Sequence, residues 1–152
     1  MNPTRILPDL QCSLSCQEVR QDANGNFIIL GVINFIRVPK LPVVAFKLSV
    51  FNRWTAGLGQ FTESVRLVAP DQVTVLRKGE VKFALHDTAY HATNVTLFTQ
   101  VEFKAPGTYF VEVLVDDVMK LRFPVPVLVA PPPQPQPPAG QNPRPPETKP
   151  EG

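Results

Sequence analysis

Residues 104–129 read KAPGTYFVEVLVDDVMKLRFPVPVLV, and they carry the strongest structural signal in the chain. Side chains alternate with a period of two on both sides of Asp116-Asp117, which indicates two β-strands separated by a turn. Pro106-Gly107 favours a tight turn before the first strand, because glycine adopts the positive φ that such turns require. This stretch therefore predicts the last hairpin of a small β-sandwich.

Tyr109 stands two residues after Gly107, at the start of the first of these strands. Immunoglobulin-like sandwiches often place a tyrosine just after the turn into their penultimate strand, where its hydroxyl bonds back to the turn. Antibody domains have cysteine two residues further on, whereas this chain has Val111, so no inter-sheet disulfide is expected. The alternative interpretation is an ordinary, half-buried strand tyrosine.

The upstream sequence predicts further strands, and no segment shows helical periodicity. Alternating or apolar runs lie at residues 10–16, 27–38, 44–50, 61–67, 73–75, 81–85 and 93–103. The run at 27–38 is apolar on both faces, so we expect it in the middle of a sheet, with Gly31 marking a bulge or a close backbone approach. The predicted fold is an all-β, immunoglobulin-like sandwich of eight to nine antiparallel strands over residues 9–129, after a loose leader.

The composition changes at Ala130, because ten of the eighteen prolines follow it. Such a segment buries little apolar area and favours extended polyproline II, so residues 130–152 are predicted to be a disordered tail or spacer. The alternative is a docking peptide for an aromatic groove, since Pro132-Pro133-Gln134-Pro135 fits the P-x-x-P pattern.

Length and charge limit the classes of function. A chain of 152 residues with 43% hydrophobic residues suits one globular domain. The net charge of +2 is too small to argue for nucleic acid or an anionic membrane as a partner, and no apolar run is long enough for a membrane helix. Because the N-terminus lacks a secretory signal pattern, we expect a cytoplasmic protein, or one exported by a route that the sequence does not show.

The two cysteines predict neither a disulfide nor a metal site. Cys12 and Cys16 on one strand would lie ~13 Å apart, too far for a disulfide bond. The expected arrangement is two buried thiols on the core face of that strand. A Cys/His metal site would also need His86 and His91 to fold over the strand, and these residues lack the spacing of structural zinc ligands. No cofactor is predicted.

Catalytic motifs are also missing from the sequence. There is no nucleophile elbow or phosphate-binding glycine loop, and Gly25 and Gly79 are interpreted as hairpin glycines. Glu102 and Glu112 fall on strand faces that are expected to be exposed, so no pair of carboxylates converges. Asn94 begins a formal glycosylation sequon, which is interpreted as an exposed strand position. We therefore expect no enzyme activity.

Arg53 and Trp54 are the candidate contact residues. Trp54 is the only tryptophan, and it ends a predicted strand beside the glycine-containing loop TAGLG. An exposed tryptophan at such a place can stack on a sugar or anchor a partner protein. The alternative is a tryptophan that closes the end of the core, because tryptophan is highly buried on average.

Three stretches resemble an uncharacterised bacterial family of small all-β, immunoglobulin-like proteins that is classed as a domain of unknown function. They are LQCSLSCQEVRQDANGNFIILGVINFI, FNRW with its following loop, and FKAPGTYFVEVLVDD, within residues 9–129. The resemblance implies the fold, and it implies no catalytic residue.

Two hypotheses about function follow. The first is a non-enzymatic module that binds a protein partner through loops, a sheet edge or the tail. The second is a module that binds a small ligand or a carbohydrate near Trp54. Pro124 and Pro126 lie on alternate residues of the last strand and lack N–H groups, so we expect that strand to be a sheet edge protected on one flank. A partner strand would then use a different edge.

Overall fold

The computed structural model describes residues 4–130 and arranges them as nine β-strands without a helix. The strands, in chain order, are β1 (Asp9–Gln21), β2 (Phe27–Val32), β3 (Ile36–Val38), β4 (Val43–Thr55), β5 (Gly59–Val68), β6 (Val75–Leu85), β7 (His91–Phe103), β8 (Gly107–Val115) and β9 (Val118–Val129). The all-β prediction is confirmed. The predicted proline-rich tail lies outside the described residues, apart from Ala130.

The strands form two sheets, with orders β2-β1-β4-β7 and β3-β9-β8-β5-β6. Neighbouring strands are antiparallel except β3 and β9, which run parallel from Ile36↔Val127 to Val38↔Val129. The prediction of antiparallel strands throughout is therefore wrong at this one pair. Long-range pairing of this kind leaves no local signal in the sequence.

The hydrophobic core lies between the two sheets. Leu48, Val50 and Trp54 of β4 are fully buried in one cluster with residues of the five-stranded sheet, such as Val65 and Val111. Each such side chain contributes about 1.5–3 kcal/mol relative to an exposed position. From Leu48 to Trp54 the even-numbered residues of β4 therefore define the inner face of the four-stranded sheet, and the odd-numbered residues lie on the outer face.

The last hairpin has the predicted form. β8 and β9 pair from Gly107↔Val127 to Val115↔Val118. Asp116 and Asp117 join them with φ values of 45° and 65°, which is the positive-φ pair that a type I′ turn requires. The Tyr109 ring is buried, and its hydroxyl donates a hydrogen bond to the backbone carbonyl of Ala105 at 2.7 Å. The expected bond from Tyr109 back to the turn is confirmed.

The apolar run at 27–38 does not form a central strand, so that prediction is wrong. It divides into β2, an edge strand of the four-stranded sheet, and β3, an edge strand of the five-stranded sheet. Residues 33–35 cross between the sheets. The run therefore supplies one strand to an edge of each sheet. Its apolar residues on both faces do not mean that both faces are buried.

The thiols face away from the core, in contrast to the prediction for β1. A register shift between Leu10 and Cys12 inserts one extra residue, as in a β-bulge. Leu10 therefore pairs with Trp54 on the inner face, whereas Cys12 pairs with Arg53 on the outer face. Cys16 is buried there and Cys12 is half-buried, and both are free thiols. Burial raises the pKa of the Cys16 thiol, opposed by a backbone hydrogen bond at Glu18.

The β1–β2 hairpin bends over the outer face of its own sheet. Phe51 is buried on that face, and the Phe27 ring packs edge-on against it at 5.7 Å between ring centroids. Phe51 pairs with Leu14, whereas Phe27 pairs with Gln21, seven residues further along β1. A straight strand would separate these positions by about 23 Å. The hairpin tip therefore curves back toward β4.

Gly31 marks the place of this bend. Its φ of 66° is unusual for a strand, and a Cβ there would lie 2.6 Å from Oε1 of Gln17 on the facing strand. Only glycine combines this backbone conformation with so close an approach. The predicted irregularity at Gly31 is confirmed.

Two further local predictions are wrong. β6 is one continuous strand through Gly79, and not two short strands around a hairpin. A Cβ on Gly79 would lie 2.7 Å from the Thr96 side chain, so glycine allows β6 to pack closely on β7. The leader is not loose at residues 5–8, because Ile6 pairs with Leu58 and Arg5 donates to the Gln60 carbonyl at 2.8 Å.

Candidate functional site

Trp54 is fully buried, so its ring presents no stacking surface to solvent. Its Nε1–H donates to Oε2 of Glu63 at 2.6 Å, and its ring stacks on Phe83 at 5.7 Å. Arg53 lies on the opposite, outer face of β4 and is partly buried. The two candidate contact residues therefore do not converge, and Trp54 agrees with the alternative interpretation of a core residue.

Glu63 is the residue that sequence analysis missed. It is fully buried on β5, yet no cation contacts it among the described residues. Three N–H groups of the other sheet satisfy its carboxylate. Nδ2 of Asn52 donates to Oε1 at 3.0 Å, while Nδ2 of Asn94 and Nε1 of Trp54 donate to Oε2 at 2.8 and 2.6 Å.

These donors come from one end of the four-stranded sheet. Asn52 and Trp54 alternate along β4, and Asn94 pairs with Asn52 across the β4–β7 ladder. Glu63 lies between Phe61 and Val65 in the row of β5 side chains that face the core. A glutamate in such an apolar, core-facing row is the signal by which the sequence could have revealed it. We call Asn52, Trp54, Glu63 and Asn94 the polar cluster. It joins the two sheets and fixes their relative position.

The polar cluster has the chemistry of a structural site. Its carboxylate is enclosed and accepts hydrogen bonds from three N–H donors, so no oxygen faces solvent as a base or nucleophile would. Oδ1 of Asn52 and Oγ of Ser13, on paired positions of β4 and β1, are buried without a hydrogen-bond partner in the described part of the chain. Asn94 points into this cluster, so the expectation of an exposed strand position is wrong.

Glu112 also departs from its predicted exposure. It is largely buried on the outer face of the five-stranded sheet. Nε of Arg66 lies 3.2 Å from its Oε1, and Nε of Arg122 lies 3.7 Å from its Oε2. These arginines occupy the paired positions on the two neighbouring strands. Glu112 therefore forms part of a charged row and not a catalytic pair with Glu102, which is exposed as predicted.

β2 presents an apolar surface at a sheet edge. Within residues 4–130 it pairs only with β1, so its other flank has no strand neighbour. Its large side chains are exposed by fractions that run from 37% for Phe27 and Leu30 to 43% for Ile28 and 52% for Val32. The strand contains no charged residue and no proline. These are the devices by which proteins normally protect an edge strand, so β2 is an open edge.

β9 is the second strand of its sheet, yet most of its length has one flank without a strand neighbour within residues 4–130. Val118 to Pro126 pair only with β8 among the described residues, while the last three residues pair with β3. Pro124 and Pro126 are two residues apart, so their backbone nitrogens point to the same side of the strand, and neither carries an N–H group. The expected protected edge is present over most of β9.

A shallow groove of about 640 Å³ lies beside β5 and β6. Phe61, Lys82 and Phe83 line it, together with the ion pair of Arg5 and Asp116. Partial burial opposes ionisation of Asp116, but the Thr62 backbone N–H and the Arg5 guanidinium outweigh it and lower the pKa of Asp116. Arg5, one of the two cations that line this groove, is therefore already paired within the chain.

No three His, Cys, Asp or Glu side chains within residues 4–130 are placed to share a metal ion. Over that same range, no helix has the length and apolar character that crossing a membrane would need.

Comparison with known proteins identifies the family of this chain. No curated protein matches this chain. The model of the family of unknown function DUF6941 matches residues 11–128, which include all of β2 to β8 and most of β1 and β9. The chain belongs to the family of unknown function DUF6941.

Proposed function

We propose that this protein is a non-enzymatic, immunoglobulin-like module that binds a protein partner through the open edge of β2. The observation that carries the proposal is the exposure of Phe27, Ile28, Leu30 and Val32 along a strand whose second flank has no strand neighbour within residues 4–130. An extended partner segment gains main-chain hydrogen bonds from such an edge and side-chain contacts on either side of it.

The immunoglobulin-like assignment is part of this proposal. Two features support it: two packed sheets, and a buried Tyr109 whose hydroxyl bonds back to the preceding turn. Sandwiches of this kind commonly act in recognition, but fold alone does not set function. The argument for binding therefore rests on β2 and not on the fold.

The location of the apolar residues favours binding over simple surface variation. Single exposed hydrophobic residues are normal, whereas a contiguous row on an open edge marks an interaction surface or an aggregation hazard. Val73 shows the contrast, because it is 80% exposed but lies in the β5–β6 loop and not on an edge strand.

The test compares three full-length baits in a cell extract: the unchanged chain, Ile28→Lys and the control Val73→Lys. Both substitutions add one charge at an exposed apolar residue, and only the first touches β2. We expect the unchanged chain and Val73→Lys to enrich the same protein, and Ile28→Lys to lose it. Equal enrichment by all three baits would remove β2 from the proposal.

A small-ligand function near Trp54 has one observation in its favour. Trp54 stacks on Phe83, and Phe83 lines the groove that also contains Lys82 and Phe61. A sugar ring could then stack on Phe83, with Trp54 supporting it from the core. A glycan screen should in that case yield a saturable ligand that Phe83→Leu loses and Val73→Lys retains.

A further inference from the structure

We propose that β2 takes a second copy of this chain, by antiparallel pairing of two β2 strands about a two-fold axis. The inference rests on the proposed function and names its partner. It would join two four-stranded sheets into one continuous sheet of eight strands.

The backbone of β2 supplies the hydrogen bonds for this pairing. The Asp22 N–H donates to the Asn26 carbonyl at 2.9 Å, so this pair is a hydrogen-bonded one. Hydrogen-bonded and non-hydrogen-bonded pairs alternate along an antiparallel ladder, so the pair of Arg20 and Ile28 is again a hydrogen-bonded one. The backbone N–H and C=O groups of Ile28 therefore point toward β1. The N–H and C=O groups of Phe27 and Ile29 face the open flank.

A two-fold axis through Ile28 gives each N–H and C=O group of Phe27 and Ile29 a hydrogen-bond partner in the second copy. Phe27 of one copy then faces Ile29 of the other in a hydrogen-bonded pair, and the same pair recurs across the axis. The two Ile28 side chains meet in a non-hydrogen-bonded pair, where side chains approach most closely. Exposed apolar side chains on both faces of β2 would pack along the joined strands.

Charge is the reason to favour a second copy. Like charges directly opposite each other destabilise strand pairing, and a strand that pairs with itself about an axis brings identical residues together. The sequence of β2, FIILGV, carries no charge, so self-pairing creates no such repulsion. A charged partner strand would find no complementary charge on β2.

The other edges and the remaining chain offer poorer pairings. β7, the other edge of the four-stranded sheet, lies against β6, because Arg77 donates to the Thr99 carbonyl at 2.6 Å and Gly79 packs on Thr96. β3 is only three residues long and carries Arg37, and β6 carries Lys78, Glu80 and Lys82. The unpaired part of β9 lacks two N–H groups at Pro124 and Pro126. The chain beyond Ala130 contains ten prolines in 22 residues, so it lacks the regular N–H donors that a strand ladder on β2 needs. The open edge of β2 thus fits another β2 best.

The test is sedimentation velocity on the full-length chain over a wide concentration range. We expect a reversible monomer–dimer equilibrium for the unchanged chain and for Val73→Lys. Ile28→Lys and Ile28→Glu should each remain monomeric, because each places like charges together on the axis. Mixing these two variants should restore the dimer, because Lys then faces Glu.

Thermal unfolding of each variant shows whether it is folded, and Leu30→Lys provides a second substitution on the same strand. A chain that stays monomeric at every concentration, or a dimer that Ile28→Lys leaves intact, overturns the inference. Loss of a different captured protein by Ile28→Lys in the extract experiment would then still support the proposed function. If neither the dimer nor that capture depends on Ile28, both proposals are wrong.

Discussion

Two regions of this protein reverse the usual distribution of side chains. The polar cluster places the Glu63 carboxylate inside the core, and β2 places Ile28 and its neighbours outside it. The two regions differ in whether the described part of the chain supplies their hydrogen-bonding partners. Glu63 receives three N–H donors from within the chain, whereas β2 has one flank without a strand neighbour among residues 4–130.

This difference separates stability from recognition. A buried polar group that is fully hydrogen-bonded contributes to a unique arrangement of the sheets, and breaking its bonds is costly. An exposed apolar strand contributes little to the stability of the monomer, so changing it should leave the fold intact. Four substitutions, in order from the largest expected change in the free energy of unfolding to the smallest, test that separation.

Glu63→Leu should destabilise the protein most, by about 3 kcal/mol. It leaves the N–H groups of Asn52, Trp54 and Asn94 buried without their acceptor. Urea unfolding measures the loss. Glu80→Leu is the matched control on an exposed position and should change stability by less than about 0.5 kcal/mol. Equal effects of the two substitutions would show that the polar cluster does not join the sheets.

Trp54→Phe should cost about 2 kcal/mol, because the hydrogen bond to Oε2 of Glu63 and part of the buried ring are lost. The same substitution in a Glu63→Leu background should cost less, since the acceptor is then absent. Additive losses in this double-mutant cycle would indicate that the bond from Nε1 contributes nothing beyond packing.

Asp116→Asn should cost less than about 1 kcal/mol, because the pair with Arg5 is partly exposed. The lowered pKa of Asp116 means that the folded state favours the ionised carboxyl, so its contribution is present above about pH 4 and is lost as the pH falls further. The stability difference between the two proteins should therefore shrink on acidification. A difference that stays constant from pH 7 to pH 3 would contradict this.

In dilute solution, where the unchanged chain is monomeric, Ile28→Lys should change stability least, by no more than about 0.5 kcal/mol, since the side chain is 43% exposed. Val50→Lys, on a fully buried position of the same sheet, should prevent cooperative folding. Thermal melts followed by circular dichroism distinguish the two. Strong destabilisation by Ile28→Lys would mean that the monomer itself needs β2 to be apolar.

The sequence predicted features that depend on neighbouring residues. The hairpin at Asp116-Asp117, the Asn24-Gly25 turn and the bond of Tyr109 each arise within a few residues of chain. Period-two alternation likewise located most strands, because most strands have one face on the core.

Features set by distant contacts were not predictable in this way. The bulge after Leu10 inverted the faces of Cys12 and Cys16, because one inserted residue shifts the alternation of a whole strand. The run at 27–38 changed sheets, and its apolar composition gave no sign of the crossover. Glu63 appeared as a polar residue in an apolar pattern, and its partners lie on two other strands.

Amide hydrogen exchange at Phe27 and Ile29 in the full-length chain tests the central claim most directly. In dilute solution these amides should exchange rapidly, because their N–H groups face the open flank, while the amides of Asn52 and Val65 inside the sheets stay protected. Raising the protein concentration should slow exchange at Phe27 and Ile29 and leave it unchanged in Ile28→Lys. Slow exchange of both amides in dilute solution would show that the flank is covered within one chain and would contradict the account.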